Sequence, residues 1–164
     1  MNVPGLRSPY AKVGRLVYFG RMLDKIRLNA EGRLPADYQA NLGDSKPGVF
    51  DTRCCEFLRV RFAEIEQRVR EGEPAAPKPG EGGADEAILA WAEARGGART
   101  DAECAIWNGF MIKVGWRSGP ASDERLRQRI EESGLAGKTV ETFFDFIDFD
   151  EGRDPVAARS WEKI

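Results

Sequence analysis

PYAKVGRLVYFGRMLDKIRLNA, residues 9–30, is the stretch whose reading decides the fold. At about 100° per residue, Leu16, Phe19, Met22, Leu23, Ile26 and Ala30 share one side, the spacing of an amphipathic helix facing a core. Ser8 is placed to cap the first turn. Pro9 can occupy the first helical position, where its missing N–H costs nothing. Gly32 follows as a stop. One long helix over residues 9–30 is expected.

The other side of that helix is unusual. It carries Tyr10, Gly14, Val17, Arg21 and Leu28, with Asp24 and Lys25 at its edges. Arg21 precedes Asp24 by three residues and Lys25 by four, so the three side chains can meet on one helix surface. Tyrosine, valine and leucine on the same side imply a cover. Charge beneath a cover must be paired or must bind something, because removing one partner of a buried pair costs about 3–5 kcal/mol. Three readings stand open: a solvated face with an incidental ion pair, a buried structural ion pair, and an anion-binding or catalytic cluster. In the third, Arg21 and Lys25 hold a small anionic ligand and Asp24 orients them or acts as base. Tyr10, Trp107, Asn108 and Lys113 are then the candidates to line the cavity.

Composition narrows the chemistry. With 41% hydrophobic and 32% charged residues in 164, the chain reads as globular rather than disordered. A net charge of −2 gives no general attraction to nucleic acid or to anionic lipid, so neither partner is expected. No apolar run is long enough for a membrane span, and the N-terminus is too polar for a secretory leader; the expected location is the cytoplasm. Three cysteines, two of them adjacent at Cys54 and Cys55, make no disulfide framework and lack metal-ligand spacing. Histidine is absent, which removes histidine-dependent nucleophilic catalysis and the commonest zinc ligand. No cofactor or metal is expected.

Further along, residues 34–49 read as a long irregular connection, and Tyr38, Asn41 and Lys46 are candidates to line a site there. A helix is expected over 53–72, with a break near Val60 dividing it into two, and Arg53 placed to approach the first-helix cluster. Residues 73–83, EPAAPKPGEGG, form a flexible proline- and glycine-rich loop within one domain spanning 1–164. A short helix over 86–94 follows. Thr100 and Glu103 then give the capping-box spacing for a helix over 101–116. That helix is apolar on nearly every side, which places it at the centre of the bundle. A charged helix over 123–133 alternates Arg125, Arg127 and Arg129 with acids and reads as solvated. Thr139 opens an aromatic helix whose end, Asp148-x-Asp150-x-Gly152-x-Asp154, resembles the start of a calcium loop. It lacks the glycine register and the closing glutamate, so a solvated acidic helix end is expected. A final short helix or tail ends with Trp161 docking on the body.

Three segments carry a family resemblance: RSPYAKVGRLVYFGRMLDKIR at 7–27, DTRCCEFLRV at 51–60 and ILAWAEARG at 88–96. They resemble the bacterial domain-of-unknown-function family numbered 5069, most specifically through Arg21, Asp24 and Lys25. The stretch at 73–83 is longer than the turn such a likeness leads one to expect. The resemblance implies a small, helical, soluble bacterial protein and transfers no catalytic residue.

The fold expected is all-α: a compact single domain of about six helices with long connecting loops, residues 101–116 central, 9–30 across it, and no strand pair. Two functions are carried forward. One is binding of a small anionic molecule at the first-helix cluster. The other is a non-catalytic homo-oligomeric or protein-interaction module, with Phe146, Phe149 and Trp161 as an aromatic C-terminal patch.

Overall fold

The stretch at 9–30 folds as two elements rather than one. In the computed structural model, which describes residues 2–71, 83–159 and 161, the first part is a hairpin of β1 (Lys12–Val13) and β2 (Leu16–Val17). Lys12 pairs with Val17 and Val13 with Leu16 in an antiparallel register. The helix α1 (Phe19–Ala30) begins only after it. The local reason is conformational. Gly14 turns the hairpin at φ +53°, and Tyr18 stands at φ +71°, so no helix can run through either position. Ser8 does not cap α1; its hydroxyl accepts from the Tyr10 N–H and donates to Asp148.

The rest is helical: α2 (Ala36–Gln39), α3 (Phe50–Leu58), α4 (Phe62–Arg70), α5 (Ala84–Gly96), α6 (Asp101–Ile112), α7 (Pro120–Glu132), α8 (Phe143–Asp150) and α9 (Pro155–Ala158). Nine helices among the described residues, two of them single turns, replace the six expected, and the small sheet corrects the all-α reading to mostly helical. The break at Val60 is where the spacing puts it: Arg59 adopts the left-handed conformation and ends α3. The capping box of Thr100 and Glu103 forms as read. Of the proline- and glycine-rich loop expected at 73–83, all but Gly83 lies outside the described residues.

The centre of the fold is α1, not α6. Phe19, Met22, Leu23 and Ile26 are essentially inaccessible, and Arg21, Asp24 and Lys25 on the other side are buried too. Packed around α1 are β1 and α4, with Leu58, Ile65, Leu89, Met111 and Phe144 in the same apolar cluster. Gly20 lets the N-terminal segment cross α1 closely, since a Cβ there would stand 2.5 Å from the Arg7 guanidinium. Helix α6 lies at the edge against β2. It buries Cys104, Trp107 and Met111, while Ile106 is 72% and Phe110 52% exposed. An apolar helix was read as central because burial and an uncovered apolar face look alike in sequence.

Candidate functional site

Each charge of α1 has its own partner on a different element. Arg21 makes a two-pronged ion pair with Glu151, just beyond α8, and donates to the Arg7 carbonyl at 2.7 Å. Lys25 donates to Asp51 of α3 at 2.7 Å and to the Asn41 carbonyl at 3.1 Å. Asp24 accepts from both the backbone N–H and the guanidinium of Arg7, at 3.0 and 2.7 Å. The three side chains grouped by sequence spacing thus point to three separate partners. All three are buried, which rules out the solvated-face reading.

Apart from Lys25–Asp51, which Tyr18 and the Gly43 N–H complete, the pairs join into a network through shared partners. Arg7 and Arg27 both reach Asp85 of α5 at 2.6 Å. Arg153 bonds Asp148 at 2.8 Å and also meets Glu151, while Arg159 lies 3.8 Å from Asp145. Six cations (Arg7, Arg21, Lys25, Arg27, Arg153, Arg159) therefore face six carboxylates (Asp24, Asp51, Asp85, Asp145, Asp148, Glu151), and the cluster is neutral. Among the described residues the one buried side-chain polar atom without a hydrogen bond is Arg68 Nε, outside this network. A network with no unsatisfied buried group is the condition under which interior charge stabilises a unique fold.

All three tyrosines of the chain join the same carboxylates. Tyr10 donates to Asp145 at 2.7 Å, Tyr18 to Asp51 at 2.8 Å and Tyr38 to Glu151 at 2.8 Å. Burial pushes each phenol well above its ordinary range, and the neighbouring carboxylate adds to the shift. Burial draws Lys25 below the usual ammonium range against the pull of Asp51. Burial raises Asp148, whereas at Glu151 burial is outweighed by Arg21 and Arg153, which hold that carboxyl below its usual range.

Asp148 is fully buried and Glu151 nearly so, which corrects the solvated acidic end expected there. The signal was present. Asp145, Asp148 and Glu151 recur every third residue, placing them on one face of an otherwise aromatic helix. Of the loop candidates, Tyr38 and the Asn41 carbonyl join the network, while Lys46 is exposed and lends only its carbonyl to Thr52.

Tyr10 belongs to the network, but Trp107, Asn108 and Lys113 lie elsewhere. Asn108 bridges the hairpin by accepting from the Val17 N–H and donating to the Arg15 carbonyl, and Trp107 donates to the Val17 carbonyl. Lys113 is exposed, with its ammonium 5.4 Å from the Trp116 ring. Arg53 lies over Phe110, not over the α1 cluster. In the C-terminal patch, Phe146 and Phe149 are half-buried; Trp161 docks as expected, donating to the Tyr10 carbonyl at 3.1 Å beneath Lys12.

These features define a mostly helical domain whose charges are gathered inward around one helix and whose apolar side chains are exposed on another. The chain belongs to the family described as Domain of unknown function (DUF5069), whose model matches residues 3–153. No curated protein matches it. Among the described residues, no helix is long and apolar enough to cross a membrane.

Proposed function

We propose that the protein is a non-catalytic interaction module of the cytoplasm, folded as one domain, whose working surface is the outer face of α6. The observation that carries this is the exposure of Ile106 and Phe110, one helical turn apart, on a helix whose other face is packed. Large apolar side chains grouped in water are the ordinary mark of a surface covered by a protein partner. Ala102, Ala105, Gly109 and Lys113 continue the same stripe. Three free, buried cysteines agree with a reducing compartment.

The test is photocrosslinking in the native cells, with benzoylphenylalanine at residue 106 or 110 and at exposed Gln128 as control. The proposal expects a discrete adduct at 106 and at 110 and none at 128, with the residue-106 adduct abolished by Phe110→Asp. No adduct at either position overturns it.

A second reading keeps a small anionic ligand at Arg21, Asp24 and Lys25. What favours it is the gathering of perturbed groups, Lys25 and Tyr18 around Asp51, with Tyr18 at φ +71°. Its requirement is that a ligand displace Glu151 or Asp51. Calorimetric titration with inorganic phosphate decides: saturable heat lost in Arg21→Ala supports it, and no heat removes it for phosphate.

A further inference from the structure

Resting on the α6 reading above, we infer that the partner of this face is a second copy of the chain, docked with the two α6 helices antiparallel. The stripe is complementary to itself in reverse. Its positions are 102, 105, 106, 109, 110 and 113, so an antiparallel pair about its midpoint sets 102 against 113, 105 against 110 and 106 against 109. Each match joins a large side chain to a small one: Lys113 to Ala102, Phe110 to Ala105, Ile106 to Gly109. Parallel packing would set each residue near its own like, placing Phe110 on Phe110 and leaving Gly109 opposite Gly109.

The surface has the shape this pairing needs. Ile106 is 72% exposed, and a Cβ on Gly109 would meet nothing within 4 Å, so one copy offers a knob where the other offers an open hole. Small residues at such a crossing let two helix backbones approach closely.

Charge agrees in the same register. At the C-terminal end of the stripe, Lys113 and Arg117 lie 5.4 and 5.3 Å from the Trp116 ring, and among the described residues neither has a carboxylate partner. At the N-terminal end Asp101 presents a side chain 94% exposed beside Ala102, bonded to Arg15 at 2.7 Å. The antiparallel pair brings the unpaired cations of each copy to Asp101 of the other. The twofold makes this contact twice.

The stripe is six positions on and beside one twelve-residue helix, which points to an interface at the low end of the size range, and the dimer is expected to be weak, with a dissociation constant on the order of tens of micromolar. Sedimentation equilibrium of the full chain from about 10 µM to 500 µM measures it. Wild type is expected to shift from monomer to dimer across this range. Ile106→Glu and Gly109→Leu each weaken dimerisation at least about tenfold, both with unchanged helical circular dichroism. Asp101→Lys and Lys113→Asp each weaken it, and the two together restore it. Wild type monomeric throughout overturns the inference while leaving a residue-106 adduct to another protein free to support the broader reading. Dimerisation untouched by Ile106→Glu, or no restoration by the charge reversal, overturns the antiparallel register.

Discussion

Asp51 is the residue at which the buried network should be most sensitive. It is wholly buried and accepts from Lys25 at 2.7 Å, from the Tyr18 hydroxyl at 2.8 Å and from the Gly43 N–H at 3.0 Å. Asp51→Asn preserves the shape and removes the charge. The Lys25 ammonium then has only neutral acceptors, the Asn41 carbonyl at 3.1 Å and the amide oxygen introduced at position 51, and no opposing charge. Removing one member of a buried pair costs about 3–5 kcal/mol. At about 2–4 °C per kcal/mol for a domain of this size, the melting temperature should fall roughly 6–20 °C. The loss should be greater at pH 5 than at pH 9. Lys25 already lies below its usual range, and higher pH lets it shed the proton that Asp51 no longer balances. Urea denaturation of Asp51→Asn, Lys25→Met and the double variant closes the cycle. The double variant should be less destabilised than the sum of the singles, with a coupling of about 1–3 kcal/mol. A cost for Asp51→Asn below about 1 kcal/mol, or additive singles, would refute the claim that this pair is dry and mutually dependent.

The phenols predict the alkaline behaviour. Folding raises Tyr10, Tyr18 and Tyr38, so their contribution is fully present below the unfolded value of 10.0 and is lost as pH rises above it toward the folded values. The thiols act in the same direction from 9.0 upward, with Cys55 pushed by burial to about 12; Lys25, drawn below 10.5, opposes them. Absorbance at about 295 nm should therefore show tyrosinate appearing only together with unfolding, and a free titration near pH 10 in the folded state would contradict this. Gly96→Ala should cost about 3 kcal/mol or more, because its Cβ would stand 1.8 Å from the Leu58 carbonyl oxygen, a backbone atom that cannot rotate away. A melting temperature within a degree or so of wild type would show that the α3–α5 contact is looser than described.

How legible all this was in the sequence depended on the kind of signal. Capping chemistry was legible: Thr100 with Glu103, and the break at Val60, are local and need no tertiary partner. The start of α1 was misread because Ser8-Pro9 carries a helix-start signal. The competing preference, Gly14 and Tyr18 at positive φ under the packed valines, depends on the core those valines enter. A cover over the α1 charges is right on a premise that fails: Tyr10 and Val17 belong to the segment before α1, and of the three only Leu28 shares the helix with Arg21. Which carboxylates would meet those charges could not be read, since Glu151 and Asp51 lie far along the chain. Helix α6 was misplaced for a related reason. An apolar face looks the same in sequence whether it meets the chain's own core or a partner's.

Two roles are kept apart in the proposed reading: the buried charges hold the fold, and the exposed apolar face of α6 meets a partner. One denaturation experiment compares them directly, with Arg21→Met and the double variant Ile106→Asp/Phe110→Asp measured against wild type at about 1 µM, below any self-association of the strength inferred. Arg21→Met, which takes from Glu151 its buried two-pronged partner and leaves it Arg153 and the Tyr38 hydroxyl, is expected to lose about 3 kcal/mol or more, while the α6 double variant stays within about 0.5 kcal/mol of wild type. The reverse order, with the α6 variant unfolding first, would contradict that reading.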